Sequence, residues 1–309
     1  MNPLRMLFLA GSLFLTGCSS PVPRFFVRMF SQIGDSIEPV AHKVAEPILP
    51  DVGLSVLWVG HATVLIQIHD KVFITDPMFT NTSGMLAKRI VEPGISPSSL
   101  GRLDFTLISH IHLDHFSFGS LDMLPKNGKL ILPFGGLDYS PEFGFSETRE
   151  LKTWETLEED GVKITAVPVR HFAGRYAFDT FWMRDHGFTG YVIEYKGKTV
   201  FIGGDTAYQD EFFKEIGKRF HIDLAILPIA PVEPRDFMGR VHVDPKEAVQ
   251  IFEDLGARIM IPMHHRTFNQ GFDPTPNYAQ RLLEDISEQK GLRERILVLR
   301  IGEQRILEH

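Results

Sequence analysis

The feature that most constrains this chain is a dense run of potential metal ligands directly after an apolar segment. Leu103 to Ser109 has the composition of a buried strand. Three histidines and one aspartate follow within six positions: His110, His112, Asp114 and His115. A polar strand end with solvated histidines is the alternative interpretation. Four ligand-type residues packed this closely argue against it and favour a metal site.

The spacing of these residues indicates how they divide between two ions. The chain is still extended where a strand ends, so side chains two positions apart project to the same side. His110 and His112 can therefore bind one ion. Asp114 and His115 follow as the chain turns, and they can face a second ion.

Other candidate ligands also stand just beyond predicted strands. Val162 to Val169 is a β-type run ending at Arg170-His171, and a predicted strand over 198–202 runs into Gly203-Gly204-Asp205. Arg258 to Ile261 precedes Pro262-Met263-His264. Strand ends in layered α/β folds converge on one edge of a sheet, where ligands usually bind. We therefore expect all these side chains to meet.

Ligand chemistry predicts two adjoining metal sites. One contains three imidazoles, and the second mixes imidazole and carboxylate: His110, His112 and His171 in the first, and Asp114, His115 and His264 in the second. Asp205 can bridge them. Zn²⁺ accepts this set of nitrogen and oxygen donors, and Fe or Mn also suit these ligand types.

The remaining pattern predicts a chain of mixed α and β structure. Strand-type runs at 56–59, 63–68 and 72–75 predict an antiparallel meander, and a hairpin over 190–202 turns at Lys196-Gly197. Asp244 is predicted to cap a helix that extends through Leu255, with Pro245 first and Glu247 completing a capping box. A short helix is expected at 121–124, strands at 129–133 and 223–227, a helix at 276–289, a closing strand at 296–301, and loops at 78–100 and 172–189.

The first residues predict export and lipid attachment. Arg5, an apolar stretch and then Leu15-Thr16-Gly17-Cys18 resemble a bacterial lipoprotein signal that is cut before a lipidated Cys18. Ser19 resembles the outer-membrane sorting pattern, so the expected location is the cell envelope, at the periplasmic face of the outer membrane. A plain secretory signal or a buried N-terminal helix is the alternative. The apolar run is far shorter than the roughly 20 residues that span a bilayer.

Composition favours one large domain behind a tether. The chain has 309 residues, of which 43% are hydrophobic, and we expect one large domain over 51–309 after a proline-rich tether and arm at 19–50. The formal net charge of −7, without a run of Lys or Arg, argues against nucleic acid as a partner. The basic and aromatic segment Arg24 to Phe30 suits a lipid headgroup surface or packs on the domain.

The ordered ligand set resembles that of the metallo-β-lactamase fold superfamily of metal-dependent hydrolases. The motif is Ser109-His110-x-His112-x-Asp114-His115, followed in order by His171, Gly204-Asp205-Thr206 and His264. The resemblance covers roughly Leu54 to Ile301. It implies a four-layer αββα sandwich with two divalent metal ions at its edge.

Further motifs resemble the N-acylphosphatidylethanolamine phospholipase D branch of that superfamily. They are Trp58-x-Gly60-His61-Ala62-Thr63, Thr75-Asp76-Pro77, the loop with Arg175 and Asp179, Glu233-Pro234-Arg235-x-Phe237-Met238, and His242-Val243-Asp244-Pro245. The branch typically continues from its last ligand with Trp-Gly-Thr-Phe. This chain has His265-Arg266-Thr267-Phe268 instead, a difference that concerns the substrate rather than the metal.

The resemblance implies a phosphodiesterase of phospholipase D type acting on lipids such as N-acylphosphatidylethanolamine. In the expected mechanism, two bound ions would share a hydroxide and lower the pKa of water from about 16 toward 7, so that it could attack a phosphorus or carbonyl centre near neutral pH. Asp114 and His242 are the expected catalytic residues, with His242 near the substrate. His61 and Asp76 are expected to orient the metal ligands, although an ordinary turn aspartate is an equal interpretation of Asp76.

Two other functions fit the same ligands. One is a lactonase or related ester hydrolase acting on a sugar phosphate or another small lactone, and the other is a non-catalytic metal-binding envelope lipoprotein. An apolar mouth with aromatic rims favours a lipid, whereas a small basic pocket favours a phosphosugar. The loop at 172–189 favours the lipid through its aromatic residues Phe172, Tyr176, Phe178, Phe181 and Trp182. For His186 and His265, the sequence leaves open whether the side chain lies in the pocket or on the surface.

Overall fold

The computed structural model describes residues 34–41, 43–84, 87–176, 178–181, 183 and 185–309. The predicted signal, Cys18 and the first part of the predicted tether, through residue 33, lie outside these residues. No helix in the described ranges is both long and apolar enough to cross a bilayer.

Two sheets and a short ribbon contain the strands of the described chain. In chain order these are β1 (Leu54–Gly60), β2 (Thr63–Ile68), β3 (Lys71–Thr75), β4 (Thr82–Ser83), β5 (Ala87–Lys88), β6 (Phe105–Leu107), β7 (Lys129–Pro133), β8 (Glu147–Leu151), β9 (Thr156–Glu159), β10 (Val162–Val167), β11 (Gly190–Tyr195), β12 (Lys198–Ile202), β13 (Leu224–Pro228), β14 (Ile259–Met263) and β15 (Gln304–Glu308). The first sheet has the order β15-β1-β2-β3-β6-β7-β8, and the second β14-β13-β12-β11-β10-β9. The ribbon pairs β4 with β5.

The two sheets pack face to face because their strands alternate between two buried surfaces. In β1, Val56 and Trp58 belong to the core between the sheets, where they join Ile193 of β11 and other residues. Leu57 and Val59, one position along, belong to the core on the outer face of the first sheet. This period of two is the alternation expected of a strand.

Helices cover the outer face of the second sheet. The α-helices of the described chain are α1 (Phe118–Asp122), α2 (Asp210–Arg219), α3 (Arg235–Met238), α4 (Pro245–Asp254) and α5 (Tyr278–Gln289). Phe213, Phe252 and Leu283, from α2, α4 and α5, pack in one cluster with Phe201 of β12. On the first sheet, Leu121 of α1 packs with surrounding loops and the arm residue Val44. The predicted αββα sandwich is confirmed, with more loop than helix in the described part of one outer layer.

Several local predictions hold in the structure. The hairpin of β11 and β12 turns at the predicted positions, and the meander of β1, β2 and β3 is antiparallel. Asp244 accepts a hydrogen bond from the backbone of Glu247, whose side chain accepts one in return, so the capping box is present. The strand predicted from Leu103 to Ser109 is shorter, because only β6 pairs in the sheet.

The predicted closing strand at 296–301 is wrong. This segment makes one isolated bridge, between Ile296 and Met260, and β15 closes the first sheet against β1. Ile296 packs in the helix-covered core and Leu299 in the core between the sheets. The apolar run therefore passes from one core to the other instead of lying within a sheet.

Candidate metal centre

Every predicted ligand lies at the same edge of the sandwich. The structure brings together all seven residues, although they come from four loops: the 110–115 segment after β6, His171 after β10, Asp205 after β12 and His264 after β14. Asp76, in the loop after β3, lies behind them. The expected convergence of strand ends explains this placement.

The first group of ligands consists of three histidines. His112 Nδ1 lies 2.9 Å from His110 Nε2 and 3.4 Å from His171 Nε2. The opposite ring nitrogens are held from behind, because His171 Nδ1 donates to the carbonyl of Val241 at 2.9 Å and His110 Nδ1 lies 3.0 Å from Ser109 Oγ. Such anchoring fixes the ring and turns the free nitrogen inward, as in metal-binding histidines.

The second group mixes imidazole and carboxylate. His115 Nε2 and His264 Nε2 are 3.3 Å apart, and Asp114 Oδ2 lies 3.5 and 3.8 Å from them. His115 Nδ1 is 2.8 Å from Asp76 Oδ2, and His264 Nδ1 donates to the carbonyl of Ala230 at 2.9 Å. Both rings are therefore oriented from outside the cluster.

Asp205 stands between the two groups. Its Oδ2 lies 3.9 Å from His110 Nε2, 3.3 Å from His115 Nε2 and 3.1 Å from His264 Nε2. Its Oδ1 is buried without a hydrogen-bond partner among the described residues. A buried carboxylate oxygen without a partner is costly, so a cation bound beside it would be strongly stabilised.

The donor chemistry of this cluster fits divalent metal ions. Asp76 accepts a hydrogen bond from Nδ1 of His115, and the carbonyl of Ala230 accepts one from Nδ1 of His264. Each ring, when neutral, therefore presents its Nε2 lone pair to Asp205. Acceptors then face acceptors in a buried space, an arrangement that needs a proton or a metal cation. Nitrogen and oxygen donors in these numbers suit Zn²⁺ and related ions.

The pKa shifts separate the two groups. Burial lowers the pKa of His110 well below its ordinary value, that of His112 to about 4 and that of His171 to about 3. Burial also acts to lower the pKa of His264, but Asp205 and Asp114 outweigh it and raise that pKa to about 9. The pKa of His115 is raised well above its usual range for similar reasons. The second group thus attracts positive charge most strongly.

Two further predicted residues hold the ligands in place. His61 Nε2 lies 2.9 Å from Asp114 Oδ2, close enough to the second group that it could also serve as a ligand. Asp76 accepts hydrogen bonds from the backbone N and the Oγ of Ser109, each at 2.6 Å. Asp76 therefore orients both the start of the 110–115 segment and the ring of His115.

His242 lies at the open side of the cluster. Its Nδ1 is 3.6 Å from Asp205 Oδ2 and has no hydrogen-bond partner among the described residues. Its ring centroid lies 5.3 Å from that of His171 and 5.6 Å from that of His264. Burial lowers its pKa to about 3. His242 thus faces both groups of ligands.

The two histidines that sequence left ambiguous are separated by the structure. His265 is buried and stacks on Trp58, with ring centroids 4.4 Å apart, and it borders a small pocket beside His264. His186 is half-buried near Phe134, with ring centroids 5.7 Å apart. Neither belongs to the ligand groups of the described chain.

Two residues near the cluster had no assigned role in the sequence. Gln270 Nε2 donates to Asp114 Oδ2. Arg175 NH1 donates to the carbonyls of Ile111 and Phe116, at 3.2 and 2.8 Å, on either side of the ligand segment. Arg175 stood in a motif of the branch resemblance, whereas nothing in the local pattern around Gln270 indicated a role.

Several large apolar side chains in the segments near the candidate ligands are exposed. Residues adjacent to ligands or to their supporting loops are exposed: Leu113, Phe172, Tyr176, Phe181 and Phe237. The ring of Phe172 lies 4.7 Å from that of His112, and Phe181 is 81% exposed. Of the other predicted rim aromatics, Trp182 and the side chain of Phe178 lie outside the described part of the structure.

Comparisons with known proteins agree with the geometry. A family model described as a β-lactamase superfamily domain matches residues 71–265. N-acyl-phosphatidylethanolamine-hydrolyzing phospholipase D 1 from Caenorhabditis elegans is 30% identical over 77% of this chain and 70% of its own length. A UPF0173 metal-dependent hydrolase from Methanopyrus kandleri is 25% identical over 81% of this chain and 98% of its own length.

A solved structure shows the same fold. The isothiocyanate hydrolase from Delia radicum gut bacteria superposes with a TM-score of 0.67 at 19% identity, covering 82% of this chain and all of that one. At this identity the similarity concerns architecture alone. Together with the family model and the curated relatives, it leads to one conclusion: the chain belongs to the β-lactamase superfamily, in its N-acylphosphatidylethanolamine phospholipase D-like branch, and is a metal-dependent hydrolase.

Proposed function

We propose that this protein is a phosphodiesterase of phospholipase D type that cleaves lipids such as N-acylphosphatidylethanolamine. The observation that carries the proposal is an apolar rim beside the candidate ligands, formed by the exposed side chains of Leu113, between His112 and Asp114 in the sequence, and Phe172, whose ring lies 4.7 Å from that of His112. A long-chain lipid would contact such a rim with its acyl chains while its phosphate reaches the polar centre. A patch of this kind beside a catalytic cleft favours an apolar substrate or surface.

Two divalent ions are proposed to occupy the cluster. His110, His112 and His171 would hold one, Asp114, His115 and His264 the other, and Asp205 both. Zn²⁺ is the first candidate, with Fe or Mn as alternatives. Bound ions supply Lewis acidity and lower the pKa of water, so that it attacks near neutral pH.

The protein residues around the ions have separate proposed roles. His242, whose Nδ1 lies 3.6 Å from Asp205 Oδ2, is placed to donate a hydrogen bond to a phosphoryl oxygen, because burial keeps its ring neutral near neutral pH. Asp114, fixed by His61, would carry a catalytic as well as a ligand role. Asp76 would hold His115 through its Nδ1, which keeps the Nε2 directed at the ion.

The proposed location is the cell envelope, with a lipid on Cys18 holding the mouth near its substrate. Cys18 lies outside the described residues, and the support comes from the arm residue Asp35. Asp35 borders a cavity together with Asn269 and Pro276, and both of these also border the pocket beside His264. The arm thus reaches the site at its rim. Membrane fractionation of a Cys18→Ser protein tests this, because a variant that still sediments with membranes contradicts lipid anchoring.

A lactonase or ester hydrolase is the second candidate. The polar side chains of Arg266 and Gln270, which line a small pocket beside His264, favour it because they suit a compact polar substrate better than an acyl chain. A non-catalytic envelope protein is the third. The presence of all seven ligands with oriented rings argues against it.

The test is turnover by the purified protein from Ser19 onward, with its metal content measured. Substrates are a bis-aryl phosphodiester, vesicles of N-acylphosphatidylethanolamine and a lactone. Cleavage of the phosphodiester and the vesicle lipid that scales with about two ions per chain supports the proposal. Lactone cleavage alone supports the second candidate. Bound metal without turnover on any substrate supports the third.

A further inference from the structure

A carboxylate oxygen in the second ligand group receives two hydrogen bonds from outside the ligand set. Asp114 Oδ2 lies 2.9 Å from His61 Nε2 and accepts a second hydrogen bond from Gln270 Nε2. The carboxylate accepts only, so the amide nitrogen of Gln270 must face it. Asp114 comes from the ligand segment after β6, whereas Gln270 comes from the loop after β14.

The first half of the Gln270 loop is fixed to the core of the site. The backbone N of His61 donates to Thr267 Oγ1 at 2.7 Å, and Ile90 N donates to the carbonyl of Thr267 at 2.8 Å. Phe268 packs edge-on against the ring of His61 at 5.1 Å between centroids. These contacts leave little freedom to the chain that enters Gln270.

The second half is fixed just as firmly. Asp273 Oδ1 accepts hydrogen bonds from the backbone N of Val232 at 3.0 Å and of Glu233 at 2.8 Å. At Gly271 the loop approaches so closely that an added Cβ would lie 2.5 Å from the Cβ of Pro231. Only glycine fits this contact. Gln270 therefore lies between two stretches of backbone that are held by hydrogen bonds and close packing, and its side chain is directed to Asp114.

We infer that Gln270 is a positioning residue that holds Asp114 in the geometry needed to bind metal in the second ligand group. Gln270 and His61 both hydrogen-bond to Asp114 Oδ2. The Asp114 side chain is therefore already ordered before the ion binds and loses less conformational freedom on binding. The inference rests on the ligand role proposed above for Asp114. It adds that binding of the ion in the second ligand group depends on Gln270, whereas binding of the ion in the first group does not.

The experiment measures zinc affinity of the full chain by competition with a chelator, for wild type, Gln270→Ala and Gln270→Leu. The leucine variant keeps most of the volume without the donor. We expect the weaker binding step to lose about 10- to 100-fold in affinity, as is typical when a residue supporting a ligand is removed. The zinc bound through the three histidines should be unaffected. Gln250→Ala is the matched control and should bind zinc as wild type, because its amide also donates to a carboxylate, that of Asp254, but at an exposed position on α4, away from the cluster.

Two further measurements separate positioning from a general loss of structure. The melting temperature of the metal-free variants should match that of the metal-free wild type, and at saturating zinc kcat should fall while KM stays constant. Unchanged zinc affinity in both variants overturns the inference, as does an equal loss at both sites accompanied by a lower melting temperature. Because zinc binding needs no substrate, failure of the proposed lipid activity would leave this result interpretable.

Discussion

The two turns that flank β2 contain the same residue type in the same backbone conformation and differ in function. His61 precedes the strand with a φ of 55°, and His69 follows it with a φ of 50°. They lie about 20 Å apart along a six-residue strand. His61 is buried against Asp114, whereas His69 is half-buried beside a hairpin turn. A left-handed histidine in a turn is thus no indicator of a site by itself.

The aspartates next to these turns show the same contrast. Asp76, after β3, is 1% exposed and binds Ser109 and His115. Asp70, before β3, is exposed and binds Lys196 Nζ at 2.6 Å and the hydroxyl of Tyr195 at 3.0 Å. We call the end of the sandwich that carries the candidate ligands the metal end. Its carboxylates are buried without a Lys or Arg partner among the described residues, which makes them receptive to a metal cation. Solvent and a lysine satisfy the carboxylate at the other end.

The largest effect should follow from Asp205→Asn at the metal end. The amide keeps the shape but removes the negative charge between the two ligand groups, so hydrolysis should fall by about 10³-fold or to background. The circular dichroism spectrum and melting curve should remain those of a folded protein. Turnover near wild type would refute a bridging role for Asp205.

A paired substitution tests the contrast between the aspartates. Asp76→Asn should weaken metal binding by about 10- to 100-fold, because His115 loses the carboxylate that orients its ring. Asp70→Asn should leave metal affinity unchanged and alter stability by no more than about 0.5 kcal/mol, as for most surface changes. Metal titration and urea unfolding of both variants provide the measurement. Equal effects at the two ends would break the comparison.

Sequence was sufficient to predict that the candidate ligands meet at one edge of the sandwich, because they lie in strong local patterns. His110, His171 and His264 each follow an apolar run, and strand ends in this architecture share an edge. The capping box at Asp244 and the hairpin at Lys196 were also predictable, since their partners lie within three residues. These predictions succeeded because each depends on residues that are close together in the sequence.

What sequence could not predict depends on contacts between distant segments. Gln270 and Asp114 are 156 residues apart, and no spacing rule links an amide in one loop to a carboxylate in another. β8 was not predicted because its sequence, Glu147–Leu151, is polar and lies at a sheet edge. The burial that separates Asp76 from Asp70 likewise arises only when other loops cover one end of the sandwich.

Arg175 should show an intermediate effect. Arg175→Met removes the donor shared by the carbonyls of Ile111 and Phe116 and leaves buried acceptors, at a cost of about 1–3 kcal/mol. Loosening the ligand segment should also reduce turnover at saturating metal. Arg102→Met is the matched control, because Arg102 is exposed and donates to the carbonyl of Asp70. Thermal unfolding of both variants measures the difference in stability. An equal loss of stability in the two variants would contradict a special role for Arg175 in holding the ligand segment.

The smallest effect should come from acidifying the opposite end. The hydrogen bond from Lys196 lowers the pKa of Asp70 to about 2. A carboxyl whose folded pKa is depressed stabilises the fold above its unfolded pKa, near 3.9, and this contribution is lost as pH falls toward 2. Solvent screens the exposed pair, so Lys196→Met should lower the melting temperature at pH 5 by less than about 2 °C. The difference between wild type and variant should shrink further at pH 3. A difference that grows on acidification would contradict a stabilising contact between Lys196 and the ionised carboxylate of Asp70.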